Sequence, residues 1–210
     1  MNKRFVINSV LVALAYMSGL AMVAVNKTDI PGTIHTLETG WDRAIPLILP
    51  FIIPYLFYFI YKLAGIVFVF FRRPDIFPVF ALSMITVSLI TAAINVVFQT
   101  TAPRAVVEGN DLFSVLLRWH YGLNRPLTSF PSLHVADSVC IGFFIHIIEP
   151  RRSWPWLVAA FFISISTLFV KQHYIPDVIA GTVLSLSISS LYLYIWKRKK
   201  VTSDVPSTIC

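Results

Sequence analysis

Six apolar stretches, each about as long as the hydrocarbon of a bilayer is thick, constrain this chain more than any other feature of its sequence. About 20 apolar residues in a helix cross that layer. The chain of 210 residues is 57% hydrophobic and 13% charged, whereas soluble domains are about 45–50% apolar and about 25% charged. We therefore predict an all-α integral membrane bundle of six transmembrane helices. The predicted spans are Phe5–Val25, Ile45–Phe71, Phe77–Phe98, Phe130–Ile148, Ser153–Val170 and Ile175–Trp196.

The first span partly resembles a secretory signal, because Lys3 and Arg4 precede its apolar run. That run is longer than the about 7–15 residues of a signal core, and no clear small-x-small cleavage site follows it. We therefore predict a retained helix. The sequence contains no detectable internal repeat or low-complexity tract, so residues 1–210 are predicted to form a single membrane domain.

The basic residues predict an orientation. If every span crosses, clustered lysines and arginines fall on one side and scattered ones on the other. Clustered positive charge marks the cytoplasmic side, so both termini are predicted to be cytoplasmic, with residues 26–43 and 99–129 facing outward. The expected location is the plasma (inner) membrane, and the net charge of +7 requires no nucleic acid partner. The clusters are Lys3–Arg4, Arg72–Arg73, Arg151–Arg152 and Lys197–Lys200.

Lys62 interrupts the second apolar stretch, where a charge is costly. Either its long stem reaches toward the cytoplasmic surface, or the helix ends early and leaves Leu63–Phe71 in the interface. The sequence leaves both interpretations open. The two cysteines, Cys140 in an apolar run and Cys210 at the end, offer neither a disulfide framework nor a thiolate metal site.

The segment Phe130-Pro131-Ser132-Leu133-His134 places polar side chains beside the fourth span. Proline suits the first turn of a helix, so we predict that the helix begins at Pro131 and directs its free N–H groups and positive dipole end toward a phosphate. Ser132 either adds a hydroxyl donor or only caps the helix. His134 is the side chain of this segment that exchanges a proton near neutral pH.

The segment Lys171-Gln172-His173-Tyr174-Ile175-Pro176-Asp177 leads into the sixth span. Pro176 suits a first helical turn and disfavours helix at the residue before it. We therefore expect His173 in the turn, with Asp177 reaching back to it. A carboxylate on one ring nitrogen fixes the tautomer and leaves the other nitrogen free to attack.

These parts together indicate phosphoryl transfer through a phosphohistidine. Its transition state is mostly spread negative charge, so cations and N–H dipoles carry much of the catalysis. Lys171 and Arg104 are the predicted cations. All of these residues fall on the outer side in the topology that the basic clusters predict independently.

The two segments, in this order and about forty residues apart, resemble the second and third signature motifs of the type 2 phosphatidic acid phosphatase (PAP2) superfamily, in its inositol phosphorylceramide synthase-like branch. The resemblance covers about the last half of the chain. It implies that His173 is the nucleophile, Asp177 its partner, His134 the acid that protonates the leaving oxygen, and Ser132 a phosphate donor. It also implies chemistry without a metal or other cofactor.

The chain departs from the family pattern in its third motif. The family usually carries an arginine six residues before the nucleophilic histidine, and Thr167 occupies that position here. Lys171 is expected to supply the charge from a different place.

The first motif of the family, a lysine followed after six residues by Arg-Pro, has no strict match. Arg104, which follows a proline, resembles the Pro-Arg of the branch and is the first candidate for a phosphate clamp. Arg125 precedes a proline and has Arg118 seven residues before it, which makes Arg125 the second candidate. Arg73 is rejected because Ile66 occupies the lysine position and the basic clusters place Arg73 in the cytoplasm.

The remaining polar residues have ordinary explanations. His35, His120 and His146 are interpreted as interfacial or packed histidines. Asp137 could orient His134, but it could equally pair with Asn95 or with a loop arginine. The spacing shows no third close ligand beside the two motif histidines and the aspartate, whereas zinc sites use three or four, so no metal site is predicted.

Three functions are compatible with the sequence. The first is a lipid phosphatase that hydrolyses a lipid phosphate monoester or diphosphate at the extracytoplasmic face. The second keeps the chemistry but passes the phospho-headgroup to a hydroxyl acceptor, and the third is a non-catalytic protein that binds or moves a lipid phosphate. The identity of the lipid, whether phosphatidate, phosphatidylglycerol phosphate, a polyprenyl diphosphate or a sphingolipid, and the oligomeric state stay open.

Overall fold

A computed structural model of the chain describes residues 3–203, and its elements of regular structure are helices joined by loops with two isolated β-bridges. The all-α prediction is confirmed for this part of the chain. The α-helices are α1 (Lys3–Met17), α2 (Leu20–Lys27), α3 (Gly40–Ala44), α4 (Ile52–Arg72), α5 (Phe77–Val97), α6 (Leu112–Leu123), α7 (Leu133–Ile148), α8 (Trp154–Phe169) and α9 (Ile175–Ser203). Cys210 lies outside the described residues.

Four helical stretches of the described chain are long and apolar enough to cross a membrane. They are Lys3–Lys27, Leu49–Arg72, Phe77–Val97 and Ile175–Thr202. Helices α7 and α8 are also apolar but have 16 residues each, about 24 Å of helix against about 30 Å of hydrocarbon. The first of the four is not continuous, because a turn at Ser18–Gly19 separates α1 from α2.

Prolines mark the starts of the apolar helices. Pro78, Pro155 and Pro176 all lie in the first turns of their helices, where the missing N–H has no intrahelical partner to lose. Helix α7 is different, because it begins at Leu133 with Ser132 in an extended N-cap conformation. The prediction that this helix begins at Pro131 is therefore wrong by two residues.

Helix α7 lies at the centre of the bundle and packs against α4, α5, α8 and α9. Its middle is fully enclosed, since Ile141, Phe144 and Ile145 have no accessible surface. A helix that is apolar on all sides is suited to such a position. The surrounding helices therefore fix the direction in which the first turn of α7, which carries His134, points.

The starts of α7 and α9 are joined through their backbones. The amide of Ser132 donates a hydrogen bond of 3.1 Å to the carbonyl oxygen of Asp177. A Cβ atom on Gly181 would lie 2.6 Å from the carbonyl oxygen of Ser132, so only glycine allows the two helices to approach this closely. The two histidine-bearing segments are thus held together at one end of the bundle.

The opposite end of the bundle is recognisable by its own contacts. Arg72 at the end of α4 forms an ion pair with Glu149 after α7, and Asn8 donates a hydrogen bond to the backbone of Pro74. The site described below lies at the other end, where α4, α7 and α9 begin.

Lys62 neither extends to a surface nor ends its helix. It is 5% exposed within α4, and its Nζ lies 2.6 Å from Oδ2 of Asp137 on α7. The hydroxyl of Tyr58 donates to the same oxygen at 2.7 Å. Both interpretations of Lys62 are therefore wrong, and so are the partners considered for Asp137. The two residues pair with each other instead, and their opposite charges offset each other inside the apolar bundle. Asn95 instead donates to the carbonyl of Thr91.

Candidate active site

A cavity of about 260 Å³ lies at the end of the bundle where α4 and α7 begin. Its walls come from α1 and α2, from α4, from the loop 124–129 and from the turn that precedes α9. His134 and His173 both line it, although they are far apart in sequence. Their ring centroids are 6.1 Å apart, so one small anion between them could contact both rings.

His173 lies in the turn before α9, and its hydrogen bonds define its tautomer. Its Nδ1 is 2.8 Å from the carbonyl oxygen of Ser129. A carbonyl oxygen accepts only, so Nδ1 carries the hydrogen and donates it. In the neutral ring the lone pair is therefore on Nε2, which is the nitrogen available as a nucleophile.

Asp177 stands behind His173 rather than in the cavity. Its Oδ2 is 3.4 Å from Nδ1 of His173 and accepts a 2.9 Å hydrogen bond from the amide of Tyr174. Its Oδ1 is buried without a hydrogen-bond partner. The carboxylate thus faces the hydrogen-bearing side of the imidazole, where it would stabilise a positive charge that develops on the ring.

A short segment before α4 positions the same turn. The carboxylate of Asp42 accepts a 2.8 Å hydrogen bond from the amide of Ile175. The ammonium group of Lys171 donates to the carbonyl oxygens of Asp42 and Ile45. Lys171 has a φ of 52°, a left-handed conformation that is uncommon outside glycine. Its charge is thereby directed to backbone carbonyls, and Lys171 does not line the cavity.

His134 occupies the first turn of α7 and is surrounded by aromatic rings. The ring centroids of Tyr55 and Tyr58 lie 4.7 Å and 4.4 Å from that of His134. Its Nε2 is buried and has no hydrogen-bond partner. An unpartnered ring nitrogen beside a cavity is costly unless a ligand occupies the space.

Two more predicted phosphate ligands lie away from the cavity lining. Ser132 has no accessible surface, and its hydroxyl accepts a long hydrogen bond of 3.5 Å from the amide of Val135 as the N-cap of α7. Arg104 donates to the carbonyl of Tyr121 and stacks over its ring at 4.9 Å, while its Nε is buried without a partner.

Arg125 is the predicted arginine that lines the cavity. Its side chain is 44% exposed and pairs with Asp29 at 2.7 Å. Its backbone amide donates to the side chain of Asn26, which ties the loop to the end of α2. Arg118 is directed elsewhere, toward the carbonyl of Gly109 at 2.6 Å.

His120 was interpreted from the sequence as an interfacial or packed histidine; it is packed, but its place in the cavity wall was missed. It is 5% exposed, and its Nε2 lies 3.2 Å from the hydroxyl of Tyr55. Burial and the nearby guanidinium of Arg104 lower the pKa of His120 from 6.5 to about 4. Ser114, Leu117 and His120 recur at every third residue of α6 and are its buried residues, so helical periodicity was the signal that could have indicated a buried histidine.

The other two histidines are exposed and lie outside this cavity. His35 stacks on the ring of Phe98 at 4.5 Å, and Nδ1 of His146 is 2.9 Å from the hydroxyl of Ser153. Gln172 is a further missed residue, because it lines the cavity and its amide nitrogen is buried without a partner.

A family model described as the PAP2 superfamily matches residues 78–200. The chain belongs to the PAP2 superfamily. The matched region contains both histidines and Asp177. Together with the apolar helices, membership makes this chain an integral membrane protein, as predicted from its composition.

Three curated relatives align with parts of this PAP2 chain. "Bacitracin transport permease protein BcrC" of Bacillus licheniformis is 38% identical over 74 residues, 35% of this chain and 36% of the relative. "Inositol phosphorylceramide synthase" of Candida albicans is 32% identical over 34% of this chain and 16% of its own length. A PA-phosphatase related-family protein of Dictyostelium discoideum is 28% identical over 49% of this chain and 21% of its own. The chain therefore spans about a third or less of these relatives, and no solved structure matches it.

Proposed function

We propose that this PAP2 protein is a lipid phosphatase that hydrolyses a lipid phosphate monoester or diphosphate through a phosphohistidine on His173. The observation that carries the proposal is the convergence of two imidazoles in one cavity, with a ring-centroid distance of 6.1 Å. Membership of the family supports the reaction class. The hydrogen bond from His173 to Ser129 supports the choice of nucleophile.

In the first step Nε2 of His173 attacks phosphorus. An N–P bond forms while the bond from phosphorus to the lipid oxygen breaks, and His134 gives its proton to that leaving oxygen. Asp177, 3.4 Å from Nδ1, stabilises the positive charge that the ring gains. In the second step water attacks phosphorus, His134 accepts the water proton, and the N–P bond breaks to release phosphate.

We assign phosphate binding to the cationic and hydrogen-bond-donating groups that the sequence predicted. Arg125 already lines the cavity and would exchange Asp29 for the substrate. The start of α7 adds backbone amides and a positive dipole end, with Ser132 at its N-cap. Arg104 and Lys171 would contact the phosphate after leaving the carbonyl groups that they now contact. No metal or cofactor is part of the proposal.

We further propose that the chain is one domain with six spans, with its termini in the cytoplasm and its site at the extracytoplasmic face of the plasma membrane. Arg72, Arg73, Arg151 and Arg152 then lie at the cytoplasmic end. Cysteine labelling tests this topology in a Cys210→Ser background. Asn110→Cys should react with an impermeant maleimide in intact cells, and Thr202→Cys only after permeabilisation. The opposite pattern would reverse the orientation.

Purified protein offered lipids labelled in the terminal phosphate tests the chemistry. Phosphatidate, phosphatidylglycerol phosphate and a polyprenyl diphosphate should include at least one substrate that releases phosphate and leaves an acid-labile label on the protein. His173→Ala should abolish both signals. His35→Ala is the matched control, because His35 lies outside the cavity and should retain them. Phosphate release by folded His173→Ala protein would refute the proposal.

A phosphotransferase is the second candidate function. It is favoured by the similarity to a protein named inositol phosphorylceramide synthase and by Gln172, whose unpartnered amide in the cavity wall could hold an acceptor hydroxyl. Labelled headgroup recovered on a second lipid, rather than as free phosphate, would establish it. If the protein only bound or moved a lipid phosphate without catalysis, replacing either histidine by alanine would leave lipid binding intact.

A further inference from the structure

We propose that Lys62 forms a second anion-binding subsite, deeper in the cavity than His134, which takes the phosphate next to the lipid chain when the substrate is a lipid diphosphate. This inference rests on the proposed function. It makes Lys62 a residue that selects diphosphates over monophosphates.

The position of Lys62 is the first support. It lines the same cavity as His134 and His173. Its partner Asp137 follows His134 by three residues on α7, a helical rise of about 4.5 Å. The ammonium group therefore lies one helical turn further into the bundle than His134. A group attached to the attacked phosphorus and directed inward would reach it.

The hydrogen-bond capacity of Lys62 is the second support. An ammonium group has three donors, and Oδ2 of Asp137 is the one acceptor that Nζ contacts within residues 3–203. That oxygen also receives the hydroxyl of Tyr58. On the other side, a Cβ atom added to Gly19 would lie 3.4 Å from Nζ, so the glycine leaves room beside the ammonium group. Donors of Lys62 thus stay free for an anion.

The surroundings give the third support. Leu20, Val23 and Phe59 are apolar residues of the same cavity wall, and such side chains give a phosphate no hydrogen bond or counter-charge. A buried charge in a membrane protein is costly and is typical of functional sites. Asp137 is the acidic partner of Lys62 when the cavity holds no anion, with Oδ2 at 2.6 Å from Nζ. A lipid monophosphate would place only its apolar chain here and would gain nothing from Lys62.

The reaction explains why the effect is catalytic. Nε2 of His173 attacks the terminal phosphorus of the diphosphate, and the bond from that phosphorus to the bridging oxygen breaks. The bridging oxygen leaves with the lipid monophosphate and receives the proton of His134. Negative charge grows on this leaving group, and hydrogen bonds from Lys62 stabilise it in the transition state. Water then releases the terminal phosphate from His173.

Farnesyl diphosphate and farnesyl phosphate, which share one lipid chain, test the proposal by phosphate release in detergent. Lys62→Met should lower kcat/KM for the diphosphate about tenfold or more, as expected for a lost charged hydrogen bond, while kcat/KM for the monophosphate changes less than about threefold. Lys27→Met, which replaces an exposed lysine, should change neither value.

Lys62→Met leaves Asp137 buried and unpaired, which could unfold the protein. The double variant Lys62→Met/Asp137→Asn removes both charges and should lose the preference for the diphosphate to the same extent. Lys62→Arg keeps a positive charge and should retain part of that preference. An unchanged ratio of the two kcat/KM values in a folded variant overturns the subsite. Absence of phosphate release from every lipid by the unmodified protein would instead contradict the proposed function.

Discussion

His134 and His173 line one cavity but differ in what surrounds them. His173 lies in a turn, with its Nδ1 hydrogen-bonded to Ser129 and with Asp177 at 3.4 Å. His134 lies on a helix between the rings of Tyr55 and Tyr58, and its Nε2 has no partner. Polar contacts set the orientation of the His173 ring, and aromatic contacts set the orientation of the His134 ring.

The different surroundings of the two histidines explain how one residue type can serve the two proposed roles, nucleophile and proton donor. A ring whose Nδ1 hydrogen is held, with a carboxylate behind it, is suited to attack and then to bear positive charge. A ring held by aromatic contacts, whose Nε2 has no hydrogen-bond partner among the described residues, can exchange a proton with a ligand in the cavity. The first arrangement fits a nucleophile, and the second fits an acid that becomes a base.

The largest expected effect is the loss of the nucleophile. His173→Ala should reduce phosphate release by about 1000-fold or more for every substrate, lipid or aryl phosphate, because the proposed covalent intermediate forms on His173. Steady-state kinetics in detergent measure it, with His35→Ala as the control. A loss that depends on the leaving group would contradict the role of His173.

His134→Ala should distinguish the second histidine. With a lipid substrate we expect a loss of about 100-fold to 10,000-fold, the usual contribution of a general acid. With p-nitrophenyl phosphate, whose leaving group departs without a proton, the loss should be at least tenfold smaller. An equal loss for both substrates would mean that His134 does not protonate the leaving oxygen.

Asp177→Asn should have an intermediate effect. The amide keeps the volume of the side chain but removes the charge behind His173, so we expect kcat to fall about 10-fold to 100-fold. Asp111→Asn is the control, because Asp111 is exposed, caps α6 as asparagine also can, and does not line the cavity. A kcat for Asp177→Asn within twofold of the unmodified protein would remove Asp177 from the mechanism.

His120 should make stability depend on pH without taking part in the transfer. Its folded pKa of about 4 lies below its ordinary 6.5, so the unfolded chain binds a proton that the folded chain refuses. Stability is therefore full above about pH 6.5 and falls by about 2–3 kcal/mol as the pH drops to about 4. Thermal unfolding of the unmodified protein and His120→Gln across this range measures it. Identical pH profiles would contradict the assignment.

The smallest effect is expected for Tyr58→Phe. The ring that contacts His134 stays, and only the hydroxyl bonded to Asp137 is lost. The free energy of unfolding should fall by about 1 kcal/mol, with kcat changed less than twofold. A large loss of kcat would show that the hydroxyl, and not the ring, supports His134.

Features that depend on residues adjacent in the sequence could be predicted from the sequence. His134 and His173 belong to short motifs, and Pro176 marks the start of α9 next to His173, so their place at the ends of helices could be predicted locally. The apolar runs likewise predicted the helices of the bundle. The number of helices that cross the membrane stays a prediction, because α7 and α8 are shorter than the hydrocarbon is thick. The orientation of the bundle also stays a prediction.

Contacts between distant residues could not be predicted in the same way. Lys62 and Asp137 are separated by 75 residues, and each alone is a charge in an apolar run. Their joint presence was a signal, because opposite charges inside a bundle stabilise each other. Arg104 and Lys171 carried the right charge, but their present partners are backbone carbonyls that no sequence pattern identifies.

The backbone junction between Ser132 and Asp177, with Gly181 packed against it, has a consequence for the route that the proposed lipid substrate would take. The junction packs the start of α7 against α9, so we expect the tail of the proposed lipid substrate to pass on the side of α1 and α2, where Tyr16, Leu20 and Val23 line the cavity. That side precedes the part that matches the family, residues 78–200. We therefore expect substitutions in the first two helices to change which tail lengths and branchings are accepted while the proposed reaction stays the same.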